Sequence, residues 1–199
     1  MSVGASDAGI YVGQSVNIMV KNNLCNFAPP GNIAETVPTG TGIMVLAASD
    51  VENYNNRIIN NKTIGTTIVS YFITELPVTD TLYNPYTSAI HIHDNFYKRR
   101  HQIPTLKHEM GILFFLKFGR DVPDLIYDSM PDPKFTNSNG EICAEWNLCI
   151  QNNSNANFLN LQIDKNFEKW YSPFFTQFSQ DISPYSCELH TPRQALISQ

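Results

Sequence analysis

The chain has 199 residues, 42% of them hydrophobic and 16% charged, with a formal net charge of −5. That length and apolar content support a folded core in a single domain and exclude a disordered chain. The acidic balance, with Lys98-Arg99-Arg100 as the one basic cluster, argues against nucleic acid as the main partner. The longest strongly apolar run, Gly111 to Leu116, is far too short to span a bilayer. No N-terminal stretch joins a basic start to an apolar core, so no signal peptide is expected. Location is therefore open between a cytoplasmic or particle-associated protein and, had a leader been removed, an extracellular one.

In chain order, Ser15–Lys21 and Gly42–Ala47 read as short strands, separated by a loop rich in Pro, Gly and Thr. Ser49 or Asp50 is placed to cap a helix over Val51–Asn61, where Val51, Tyr54, Ile58 and Ile59 fall at helical spacing. Thr66–Thr74 is β-branched and aromatic, the composition of a strand. In Ser88–Asp94, a further strand, Ala89, His91 and His93 share one face. Pro104–Gly119 then reads as a helix opened by Pro104, apolar on nearly every side and so buried. From Arg120 onward Pro and Asn imply a loop-rich lobe, with a short helix or turn at Asn166–Tyr171 and a final helix at Arg193–Ser198 capped by Thr191. The fold class expected is α/β (α+β), a small twisted sheet with a buried helix. One domain, 1–199, would divide into an upper lobe of about 1–119 and a lower lobe of about 120–199. The place of residues 1–65 is left open. The abundance of Asn is read as composition bias, and no internal repeat is evident.

Cys25, Cys143, Cys149 and Cys187 include no Cys-x-x-Cys, so a zinc knuckle is not expected, and free thiols and disulfides both remain open. His91 and His93, with His108 or His101, could form a metal site, although alternating His on a strand is more often ordinary surface. Asp121, Asp124, Asp128 and Asp132 suggest calcium only weakly, since their spacing is not that of an EF-hand.

Four segments resemble the metzincin zinc proteases, in particular the pappalysin-like branch. TTIVSYFITELP is similar to the strand and turn before the active-site edge strand, and SAIHIHDNF to that edge strand. TLKHEMG, with Thr105, His108, Glu109 and Gly111, begins an active-site helix, and CELHTPRQALISQ, with Cys187, Thr191 and Gln194, is similar to the end of a catalytic domain. The resemblance implies zinc on three histidines, with Glu109 as general base. The chain departs from that pattern where it matters. Ile112 and Phe118 stand where the second and third histidines belong, Phe115 replaces the spacer Gly, and Thr176 falls near the Met-turn position. One imidazole does not hold zinc. The expectation is a non-catalytic, metzincin-like pseudoprotease with vestigial His108 and Glu109, no cofactor, and Ile112, Phe115 and Phe118 as an apolar cleft. It would bind protein or assemble into a larger structure. Two alternatives stand beside it: a metal-dependent hydrolase with zinc on His91, His93 and His108, and a viral or appendage structural protein unrelated to proteases.

Overall fold

The computed structural model describes residues 8–13, 16–21, 24–25, 38–107, 109–139, 141–166 and 177–189. Short strands dominate, built from β-branched and aliphatic runs. They are β1 (Ala8–Gly13), β2 (Val16–Lys21), β3 (Leu24–Cys25), β4 (Thr41–Leu46), β5 (Ser49–Tyr54) and β6 (Arg57–Ile59). Next come β7 (Ile64–Val69), β8 (Ser88–His93), β9 (Phe96–Lys98), β10 (Leu125–Tyr127), β11 (Leu148–Gln151) and β12 (Phe158–Asn160). The helices are α1 (Glu109–Phe118) and the single-turn α2 (Ile163–Asn166).

Their pairing is strictly repetitive. One sheet has the order β1-β4-β7-β10-β12, a second β11-β8-β5-β2, and a third β3-β6-β9. Every neighbour is parallel, and each strand pairs with its counterpart one turn earlier or later. The chain therefore winds as a coil, a parallel β-helix, each of its first three turns laying one strand on each sheet. The class is mixed α/β with small parallel sheets and few helices. β10 and β12, after residue 119, continue the sheet begun by β1, β4 and β7.

Inside the coil, alternate residues of the three sheets meet. Ile43, Val45, Val51, Ile68, Ile90, Ile92, Tyr97 and Leu125 are all buried in one cluster. Each such aliphatic side chain contributes about 1.5–3 kcal/mol by leaving water. The corners repeat as well. Asn55, Asp94 and Asn152 stand one above another with φ of 54°, 51° and 49°. Asn and Asp tolerate this left-handed conformation better than other non-glycine residues. The residue after each corner is Asn56, Asn95 or Asn153, and these side chains stack along the coil axis. Asn56 Nδ2 donates to Asn95 Oδ1 at 3.0 Å, and Asn95 Nδ2 to Asn153 Oδ1 at 2.9 Å. The same oxygens accept from the backbone: Asn56 N–H to Asn95 Oδ1 at 2.9 Å, and Asn95 N–H to Asn153 Oδ1 at 3.1 Å.

Three sequence expectations are corrected. Val51–Asn61 is not a helix but β5 and β6, separated by the Asn55 corner, because Val51 and Ile58 both point into the coil. The apolar run Thr66–Thr74 is a strand only to Val69, the start being Ile64, and ends in a 3-10 turn at Tyr71–Thr74. Helix α1 starts at Glu109 rather than near Pro104, and it is not buried on all sides. Met110, Gly111, Leu113 and Phe114 are buried, packing with Ile126 and Leu159 on the outer face of the first sheet, while Ile112 and Leu116 are 43% and 61% exposed. Gly111 lies so close to the Thr105 carbonyl that a β-carbon there would overlap it. Residues 193–198, read as a final helix, lie outside the described residues, as do 167–171 of the expected helix or turn.

Candidate functional site

On the second sheet the register decides which side chains meet. Glu52 pairs with His91 and Tyr54 with His93 across β5 and β8, and His91 pairs with Cys149 across β8 and β11. Since Val51, Ile90 and Ile92 point inward, Glu52, His91 and His93 share the outer face. Glu52 and His91 are nonetheless only 5% and 6% exposed. The ligand-type atoms of Glu52, His91 and His93 all lie within 4.8 Å of one another, the one such His/Cys/Asp/Glu group among the described residues.

The hydrogen bonds within the cluster are incomplete. His93 Nε2 lies 3.0 Å from Glu52 Oε1, and its Nδ1 lies 2.8 Å from Asp94 Oδ2. His93 is also sandwiched, stacked on Tyr54 with ring centroids 5.0 Å apart and tilted against His91 at 4.1 Å. His91 hydrogen-bonds the Gln151 side chain, yet its Nε2 is buried without a partner, as is Glu52 Oε2. Burial, with His93 beside it, holds the His91 pKa below its ordinary value and so favours the neutral ring. The His93 bond draws the Asp94 carboxyl below the usual range. A disulfide joins Cys149 to Cys187, bringing the neighbouring Glu188 close enough for its charge to act on His91. Cys143 is an exposed free thiol.

The other candidate residues fall elsewhere. His108 and Thr176 lie outside the described residues. Glu109 is exposed at the start of α1, and Phe115 and Phe118 are partly buried. Phe118 packs edge-on against Phe178 at 5.3 Å, while Ile112 faces away from the buried side of the helix. His101 pairs with Asp121 at 2.7 Å on the surface and stands outside the cluster of His91. The four aspartates do not gather into a calcium site either. Asp128 receives Ser70 N–H and Ser70 Oγ–H at 2.6 Å each, and Asp132 caps the 3-10 turn at Pro133–Phe135. The basic cluster is partly structural, for the Arg99 guanidinium donates to the Val122 and Lys62 carbonyls. β8, the segment that resembles an active-site edge strand, sits between β5 and β11 rather than at an edge.

Reading the sequence alone finds the shared face of His91 and His93 but misses Glu52, Asp94 and Gln151. Comparison with family models, curated proteins and solved structures finds no match for the chain.

Proposed function

We propose that this chain is a non-catalytic coil that serves as a protein-binding or structural component of a larger assembly. The observation that carries the reading is the last turn of the second sheet. Among the described residues β11 is the edge strand of its sheet, tied to the Ser183–Cys187 segment by the Cys149–Cys187 disulfide, and beside it lies an open groove of about 730 Å³. Its lining mixes coil-interior residues, Leu125 and Ile150, with the corner residues Asn152, Asn153 and Ser154 and with Ile182 of the segment opposite. A sheet edge beside a groove of mixed polar and apolar lining is suited to accept one more extended strand, the geometry of β-augmentation. In the simplest case the strand comes from a second copy. None of the described helices is long and apolar enough to cross a membrane.

The metzincin-like reading, as a statement of ancestry, is supported by the four sequence segments alone. It adds no chemistry here, because Ile112 and Phe118 cannot take the place of metal-binding histidines.

The test is the mass in solution across a concentration series. The expected result is a species heavier than the 22.5 kDa chain, reduced to that mass by Ser154→Arg or Ser186→Arg, two substitutions on exposed groove positions. A 22.5 kDa species at every concentration would overturn assembly of copies through this end.

A further inference from the structure

We infer that Glu52, His91 and His93 form a binding site for one divalent transition-metal ion of the zinc class, held in the outer wall of the coil between two successive turns. Two imidazoles and a carboxylate are a ligand set that zinc takes with a fourth place left for water or another group. The three ligand atoms lie within 4.8 Å of one another, and tetrahedral zinc needs them about 3.3 Å apart, a contraction within reach of side-chain rotation.

The unsatisfied atoms point the same way. His91 Nε2 and Glu52 Oε2 belong to side chains more than nine-tenths buried, and neither has a hydrogen-bond partner. A buried polar atom without a partner is destabilising, and a metal bond would satisfy it. His93 stands between two carboxylates, its Nδ1 2.8 Å from Asp94 Oδ2 and its Nε2 3.0 Å from Glu52 Oε1, so a ring that donates Nδ1–H to Asp94 turns its Nε2 lone pair toward Glu52, where the two could share a metal ion. The surroundings are those of a metal site, in which each ligating imidazole uses its other nitrogen on a carboxylate or amide: Asp94 for His93, Gln151 for His91.

Glu52 lies on β5 and the two histidines on β8, so an ion would tie adjacent turns together. The low exposure of Glu52 and His91 leaves little room for a substrate. The site is thus a structural one and does not depend on the assembly reading.

The test uses the full chain with its disulfide intact, stripped by chelator and titrated with Zn²⁺ by calorimetry. One zinc per chain is expected, with affinity reduced at least tenfold in His91→Ala and Glu52→Gln and unchanged in His101→Ala. Absence of zinc uptake by the folded chain, or equal affinity in folded His91→Ala, would overturn the proposal. If the variants do not fold, Co²⁺ in the wild-type chain decides. An intense visible spectrum of four-coordinate cobalt supports the site, and the faint spectrum of six-coordinate cobalt refutes it. A His93 ring that keeps both nitrogens protonated in the presence of zinc likewise refutes it.

Discussion

Replacing Asn95 with alanine cuts the side-chain column of the coil at its middle. The Asn95 side chain accepts from Asn56 N–H and Asn56 Nδ2, and donates to the Asn53 carbonyl and to Asn153 Oδ1. The losses are unequal. Asn153 Oδ1 keeps the Asn95 backbone N–H, and Asn56 Nδ2 keeps the Asn53 side chain. The Asn56 N–H and the Asn53 carbonyl lose the bonds Asn95 made to them, in residues 1% and 0% exposed. At about 1–3 kcal/mol for each of these two buried groups, Asn95→Ala should cost about 2–6 kcal/mol. Asn95→Asp keeps the shape but sets a carboxylate oxygen against two acceptors, so it should be at least as costly at neutral pH and partly recover in acid, when the carboxyl can donate again. Urea unfolding followed by circular dichroism reads the midpoint and slope together. A smaller slope would show turns melting separately, which a coil of nearest-neighbour contacts allows. A loss below about 1 kcal/mol for Asn95→Ala would refute the view that the column holds the turns in register.

Two further predictions concern the flanks of the coil. Burial, outweighing its three hydrogen bonds, pushes the Asp128 carboxyl up to about 6, so folding favours its protonated form. The stability this group contributes is therefore fully present below its unfolded pKa of about 3.9 and is lost as pH rises through about 6. The stability of the wild-type chain relative to Asp128→Asn should fall by about 2 kcal/mol from about pH 4 to about pH 7, and a difference that stays flat would count against it. Gly111→Ala, which in an exposed helix would gain about 1 kcal/mol, should here cost about 1–3 kcal/mol, because the new β-carbon overlaps the Thr105 carbonyl and lifts α1 off the first sheet. A gain in melting temperature would show that the helix does not sit there.

Individual strands were legible because β-branched and aliphatic runs such as Thr41–Leu46 and Ser88–His93 carry their signal locally. Their stacking was not. Successive turns carry insertions of very different length, including the one that bears α1, so equivalent residues recur at no fixed period. The surviving mark of the repeat is slight: Asn55-Asn56, Asp94-Asn95 and Asn152-Asn153 at the corners, with Asn22-Asn23 following Lys21 in the sequence as Asn55-Asn56 follow Tyr54. Read as composition, asparagines say nothing; placed on a coil, Asn56, Asn95 and Asn153 are its internal ladder. The false helix at Val51–Asn61 has a related cause. Two inward-facing positions, Val51 and Ile58, lie on either side of a corner and imitate helical spacing. The alternation of His91 and His93 was readable on one strand, whereas Glu52 joins them from the turn before, a neighbour that only the stacking register supplies.

Parallel turn-on-turn stacking is the claim on which all of this depends, and proton–proton nuclear Overhauser effects test it most directly. The account predicts cross-strand contacts linking Val51 with Ile90 and Ile90 with Leu148, in the pattern of parallel neighbours, and none of helical type across Val51–Asn61. Antiparallel contacts between β5 and β8, or helical contacts within Val51–Asn61, would contradict it.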